Sequence, residues 1–212
     1  MGTNSGAVQI RNSIKDLTVK KTLNDAKRWI EHLEYSPDGK RLAVGDHQQL
    51  IHVYEVPSYN LQKTLKGSSS AIISFDWSKD NNFLKVNSEA NEILFYDMKV
   101  LDYIPDGPVM CKDVEWATGY TKLGWGLTGI IPLGCEGEHV NTVCLHPSKK
   151  YVATGDDWGL VNIYRYPCLA GGKCISLRGH SSHVQRVRYN SNGDTLFSVG
   201  GQDQTLLQWH QI

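Results

Sequence analysis

The chain has 212 residues, 40% of them hydrophobic and 21% charged, enough apolar content for the core of one large or two small domains. Lysine plus arginine and aspartate plus glutamate balance at 22 each, which excludes binding to nucleic acid or an acidic surface through bulk charge alone. No apolar run is long enough to span a bilayer, and the first residues carry no apolar core of signal-peptide length. The five cysteines (Cys111, Cys135, Cys144, Cys168, Cys174) are odd in number, scattered and without a CxxC pair. That usage suits a reducing interior and points to a cytoplasmic protein.

In chain order, the first predicted element is a strand over 6–11, within "SGAVQIR". A modest basic stretch follows, with Lys15, Lys20, Lys21, Lys27 and Arg28 diluted by Asp16 and Asp25. Two readings fit it: a surface for an acidic partner, or a solvated outer strand whose lysines discourage edge pairing. Next come "YSPDGKRLAVGDHQQLIHVYEV" and, past the linker-like "GSSS", "WSKDNNFLKVNSEANEILFYDM". Residues 100–138 are an insertion rich in glycine and tryptophan, predicting an outer strand near 114–116 and a loop or strand pair near 123–131. Trp125 is a candidate for a binding groove there, since loops on a rigid scaffold carry function, while Trp116 reads as a packing residue. "LHPSKKYVATGDDWGLVNIYRY" and "YNSNGDTLFSVGGQDQTLLQWHQI" complete the chain.

These four segments are copies of one unit. Anchored on Tyr54, Tyr96, Tyr164 and Trp209, they place Val44, Val86, Thr154 and Val199 ten positions earlier, and Gly45, Asn87, Gly155 and Gly200 nine positions earlier. A turn opens the first three at Ser36, Ser78 and His146; in the fourth it reads as one residue longer, around Asn190 and Ser191. Counting a partial copy ending at Arg11, the anchors are 43, 42, 68 and 45 residues apart. Three intervals match the roughly 40–45-residue period of WD40 propeller blades. Alternation such as Ile73, Phe75 and Trp77 marks half-buried strands, and "SPDG" and "SNGD" supply turn chemistry. The predicted fold is all-β: a WD40-type β-propeller of about four blades, part of a larger propeller. The leading strand 6–11 precedes units over 12–56, 57–98, 99–166 and 167–212.

Gly179-His180 stands before Trp209-His210 as in the "GH…WD" signature. His180, Asp203 and Trp209 occupy three of the four places of the buried network of such blades. Val199 falls where its hydroxyl belongs, so the network reads as incomplete, and Gln48, Asn91 and Trp158 fill the turn-aspartate slot elsewhere. Cys168, Cys174, His180 and His183 have the wrong spacing for zinc. Asp156 and Asp157 fall in a turn and have no catalytic partner in the sequence. "GSSS" lacks the ending of a phosphate loop, and no nucleophile elbow exists. No catalytic residue, metal or cofactor is expected.

"CKDVEWATGYTKLGWGLTGIIP", "VATGDDWGLVNIYRYP", "GHSSHVQRVRY" and "GGQDQTLLQW" resemble the last blades of the echinoderm microtubule-associated protein-like family, and "LAVGDHQQLIHVYEV" resembles the blade before them. The likeness spans essentially the whole chain, insertion included. It implies a non-catalytic interaction scaffold, partnered with tubulin or microtubules rather than nucleic acid or membrane. It also implies a place in the cytoplasm on the cytoskeleton, at microtubules, cilium or spindle. Trp125, Lys20, Lys21, Lys27 and Arg28 are the candidate partner-binding residues. The other reading is a general WD40 assembly scaffold, in a ciliary or signalling complex, without tubulin contact. The closing strand "TLLQWHQI" has no outer neighbour in this chain, so the rest of a propeller, or a second copy, is expected to complete it.

Overall fold

The computed structural model describes residues 1–12, 15–131 and 139–210. The end of the insertion, Cys135 and the last two residues of the final unit lie outside them. The chain divides into two compact units, Met1–Ala117 and Thr118–Ile212.

In the first unit, β1 (Val8–Arg11) and β2 (Val19–Leu23) form a two-stranded sheet. A four-stranded antiparallel sheet follows, of β3 (Ile30–Tyr35), β4 (Arg41–Asp46), β5 (Ile51–Glu55) and β6 (Leu61–Leu65) in chain order. The next four-stranded sheet holds β7 (Ile72–Trp77), β8 (Phe83–Ser88), β9 (Ile93–Asp97) and the two-residue β10 (Asp102–Tyr103). In the second unit, β11 (Val140–Leu145), β12 (Tyr151–Asp156), β13 (Leu160–Arg165) and β14 (Cys174–Arg178) make a four-stranded sheet. There β15 (Val184–Tyr189), β16 (Thr195–Gly200) and β17 (Leu206–His210) make a three-stranded one.

The turns between the first and second strands of the four larger sheets are built alike. Each holds its fourth residue in the left-handed region: Gly39 (φ 69°), Asn81 (62°), Lys149 (55°) and Gly193 (82°). Each of those residues donates its N–H to the carbonyl of the first turn residue, Ser36, Ser78, His146 or Asn190. The fourth turn is therefore no longer than the others. The extra residue lies one hairpin on: Gly45 faces Ile51, Asn87 faces Ile93 and Gly155 faces Val161, whereas Val199 faces Leu206. Counting back from Trp209 carries that loop residue onto the wrong turn.

This register also explains two glycines. A Cβ on Gly45 would lie 2.6 Å from Ile72 Cγ2, and one on Gly155 would lie 2.5 Å from Val184 Cγ1. The first strand of the following sheet presses on both places, so only glycine fits. Asn87 and Val199, at the equivalent places, face no such strand in their own units and carry side chains.

Sheets pack face to face within each unit. Val8, Ile10 and Leu23 cluster with Leu42, Val44 and Tyr54. Ala43, Val53 and Leu65 cluster with Ile72, Phe75, Trp77 and Val86. In the second unit Ala153 and Val161 pack on Val184, Val187 and Leu196. The four described cysteines are free thiols, and all but Cys174 are buried.

Among the described residues, the insertion adds β10 to the ladder of its sheet but no strand pair of its own. Its first part forms a short helix, α1 (Gly107–Met110), and covers one face of the β7–β10 sheet. There Ile104, Cys111, Val114 and Trp116 pack on Phe83 and Phe95. At 114–116 the only ladder contact among the described residues is one bridge, Ser78 to Trp116, fastened by Ala117 N–H to the Trp77 carbonyl and by Lys79 to Glu115 at 2.8 Å. In the second unit, 123–131 holds a 3-10 turn, Trp125–Leu127. Leu127 and Ile130 there pack on Val140, Val143, Val152 and Tyr164. Beyond β10, the described residues of the insertion cover sheet faces with side chains instead of extending ladders.

Candidate functional site

Antiparallel topology gathers two loop sets at one end of each sheet: the loops entering the first strand, and the loops joining the second and third. One backbone bond ties them in every case. His47 N–H donates to Trp29 O (3.0 Å), Glu89 to Ala71 (2.9 Å), Asp157 to His139 (3.1 Å) and Gly201 to His183 (2.9 Å).

Side chains reinforce each tie differently. In the last sheet His180 Nδ1 lies 3.2 Å from Asp203 Oδ2 and 2.8 Å from Thr205 Oγ1, and its Nε2 lies 2.7 Å from Ser198 Oγ. Trp209 Nε1–H donates to the same Oγ at 2.8 Å. Ser198 is thus the hydroxyl of this network, one residue before Val199. The sequence alignment missed it through the misplaced loop residue; aligning on the Asn190–Gly193 turn instead of on Trp209 would have found it. Burial pushes the Asp203 carboxyl up, but hydrogen bonds from Thr205, Ser181 and His180 outweigh it and leave the pKa below the ordinary value. Ser198→Ala strands the Trp209 N–H and the His180 ring together. It should cost about 1–3 kcal/mol in denaturant unfolding, whereas Val199→Ala, at a 37%-exposed position, should cost well under that.

The other sheets use tyrosine where this one has Trp209. Tyr54 OH donates to Asp25 Oδ2 (2.9 Å), Tyr96 OH to Lys66 O (3.1 Å) and Tyr164 OH to Ile130 O (3.4 Å), each reaching the loop that enters its own sheet. Burial raises all three phenols, Tyr96 to about 12.

Two sheets also carry a cross-strand relay, buried except at its hydroxyl end. In one, Asp46 Oδ2 lies 3.2 Å from His52 Nε2, and His52 Nδ1 lies 3.2 Å from Thr64 Oγ1. In the other, Asn162 donates to Asp156 Oδ2 at 2.9 Å and accepts from Ser176 Oγ at 2.6 Å. Carboxylate, histidine and hydroxyl stand in the order of a hydrolase triad, yet the equivalent relay holds an amide that cannot act as a base. Asp46 and Asp156 also accept two turn N–H groups each through Oδ1. Their role is to close the turn. Asp157 instead meets His139 at 3.2 Å and Asn141 at 2.8 Å. Among the described residues, no group of three or more His, Cys, Asp or Glu side chains is arranged to hold a metal ion.

The candidate partner-binding residues are dispersed. Lys20 is exposed on β2 and its neighbour Lys21 donates to Ser58 O at 2.7 Å. Lys27 and Arg28 are exposed in the loop entering β3, with Lys27 Nζ on Asn24 O at 2.6 Å. Trp125, in the second unit, is 79% exposed. Sequence reading missed Trp29, which is 46% exposed beside Lys27 and Arg28 and stacks on His47, with ring centroids 5.4 Å apart and planes 10° apart.

The profile of the family described as "Echinoderm microtubule-associated protein second beta-propeller" matches residues 1–211. The chain belongs to that family. It is 40% identical over 210 residues to the ciliary WD repeat-containing protein ctxp80 of Euplotoides octocarinatus, covering 99% of this chain and 29% of that protein. It is 37% identical to the 77 kDa echinoderm microtubule-associated protein of Lytechinus variegatus, over 89% of this chain and 29% of the relative. To human echinoderm microtubule-associated protein-like 1 it is 36% identical, over 93% of this chain and 24% of the relative. The chain therefore spans less than a third of the length of these family relatives. A chain of the solved structure titled "Crystal Structure of Mitotic Checkpoint Complex" superposes with a TM-score of 0.58 at 15% identity, covering 99% of this chain and 57% of that one. That likeness bears on fold alone. With the family match, it makes this an all-β, WD40-type partial β-propeller with a four-blade arrangement.

Proposed function

We propose that this chain is the non-catalytic scaffold portion of a microtubule-associated WD40 protein, and that it contributes directly to tubulin contact. Its place is on the cytoplasmic cytoskeleton, at microtubules or the cilium. The observation that carries the reading is membership of a microtubule-associated family over residues 1–211. The blades supply what such a role needs: stiff sheets whose loop ends present fixed side chains. The repeat units 12–56, 57–98, 99–166 and 167–212 each give an outer strand to one blade and three strands to the next. The outer edge of β17 is completed by the rest of a propeller or by a second copy. The partner is protein, neither nucleic acid nor membrane. A second reading, a ciliary assembly scaffold without tubulin contact, is favoured by the 40%-identical ciliary relative.

Co-sedimentation with stabilised microtubules at low salt separates the two. The pelleted fraction should rise with microtubule concentration and fall with salt. The double variant K20E/K21E or W125A should lower it severalfold if those residues touch the lattice. A chain that stays in the supernatant favours the second reading.

A further inference from the structure

The loop entering β3 carries the sequence Asp25-Ala26-Lys27-Arg28-Trp29, and the fold sorts its charges. Asp25 is turned to the Tyr54 hydroxyl at 2.9 Å. Glu31, the next carboxylate, faces His47 Nε2 at 3.5 Å. Lys27 and Arg28 are left at the surface, exposed, with Trp29 between them and the sheet. Trp29 keeps 46% of its surface in water although it is clamped, by the parallel stack on His47 and by the bond from His47 N–H to its carbonyl. A large aromatic held stiffly and left half-open loses little conformational entropy on binding and is the usual anchor of a protein contact.

The device recurs in the second unit. His139 holds the place equivalent to Trp29, and Trp158, 58% exposed, lies against its ring at 4.7 Å between centroids, with Asp157 paired to the histidine. In the β7–β10 sheet the same loop junction is a different thing. Glu92 there accepts from Ser88 Oγ, Ser68 Oγ and Ser69 N–H, which hold its carboxyl below the ordinary range, and neither loop of the junction carries an aromatic residue. Among the described residues, an exposed tryptophan against a histidine is therefore a property of two junctions, and at the first it has exposed cations beside it: Arg28, and Lys27, whose Nζ meets the Asn24 carbonyl at 2.6 Å.

We infer that Lys27, Arg28 and Trp29 form a docking site for an extended, acidic protein segment bearing an apolar side chain, which lies on the Trp29 ring while its carboxylates meet the two cations. The site rests on the scaffold reading above and specifies the chemistry of its partner. Charge complementarity selects the occupant: the loop's own carboxylates are engaged, so an incoming acidic chain meets the cations without a competing anion in front of them. The aromatic supplies what charge alone lacks, since exposed ion pairs contribute little by themselves.

The test is fluorescence anisotropy of a labelled glutamate-rich peptide carrying one leucine, titrated with the whole chain. Binding should weaken with salt. Trp29→Ala should weaken it about tenfold and Trp29→Phe much less; Lys27→Gln with Arg28→Gln should weaken it severalfold and flatten the salt dependence. Trp158→Ala, at the junction without cations, should leave it unchanged. Thermal melts check that each variant folds. No binding of the peptide, equal binding by the Trp29→Ala variant, or equally tight capture of a labelled oligouridine overturns the site. The outcome is independent of microtubules. Peptide capture without microtubule pelleting sinks the tubulin reading and leaves the site standing, and pelleting that is indifferent to Trp29→Ala without peptide capture does the reverse.

Discussion

Replacing Asp46 by alanine should destabilise the chain by about 3–5 kcal/mol, a fall in melting temperature on the order of 10 °C. Asp46 is fully buried and serves three donors at once: the N–H groups of Gln48 and Leu50 through Oδ1 and the ring of His52 through Oδ2. Alanine removes the acceptor and leaves the donors where water reaches poorly. His52 retains only Thr64 on its other ring nitrogen. Each stranded donor costs about 1–3 kcal/mol, and the turn loses the residue that closes it. Asp46→Asn keeps one oxygen for the turn and should cost roughly half as much. Asp156→Ala removes the same two turn bonds, but its relay partner is the neutral Asn162, so it should fall between them. Denaturant titration of the three variants gives the order. An Asp46→Ala protein within about 1 kcal/mol of the parent would show that the relay is dispensable.

The relay marks the boundary of what sequence discloses in this chain. The blades were legible because period-two alternation and turn residues act locally: "SPDG" and "NSNG" form matching turns, and Phe75 and Trp77 pack where alternation puts them. Gly45 and Gly155 stood out as a repeat slot, but their cause, a strand of the next sheet about a bond length too close for a Cβ, is tertiary. His52 and Thr64 gave no sign, since their relay with Asp46 runs across three strands, β4 to β6. Ser198 was hidden by one residue of loop length, because a count from a single anchor cannot tell which of two turns has grown. The outer strand expected near 114–116 was misjudged for a different reason. The insertion's tryptophans and glycines resemble a strand-and-turn pattern, yet Gly107, whose Cβ would meet Phe95 Cβ at 2.5 Å, serves close approach to a sheet face. Trp29 was overlooked because a lone tryptophan before a strand reads as core; its 46% exposure is a fact of the fold.

The insertion's work can be measured at the ion pair it covers. Asp76 and Lys85 lie side by side on β7 and β8, with Nζ 3.3 Å from Oδ2 and side chains 0% and 11% exposed. The Lys85 ammonium also sits 4.6 Å from the centroid of the Trp116 ring, an attraction of about 0.5–2 kcal/mol. Corresponding faces elsewhere are covered by the next sheet, as where His32 meets the edge of Phe75. Here, within the same unit, an aromatic ring lies over a charge pair. Burying two charges is expensive, and their attraction roughly offsets the desolvation only while both are present. Asp76→Leu leaves an ammonium and Lys85→Met a carboxylate, so each single change should cost about 3–5 kcal/mol. The double variant, apolar on both strands under Trp116, should lie within about 1–2 kcal/mol of the parent, giving a coupling of several kcal/mol in a double-mutant cycle. Additive losses would mean that the pair is solvated and that Trp116 does not seal it. Strong coupling would place the insertion among the elements that hold the β7–β10 sheet together.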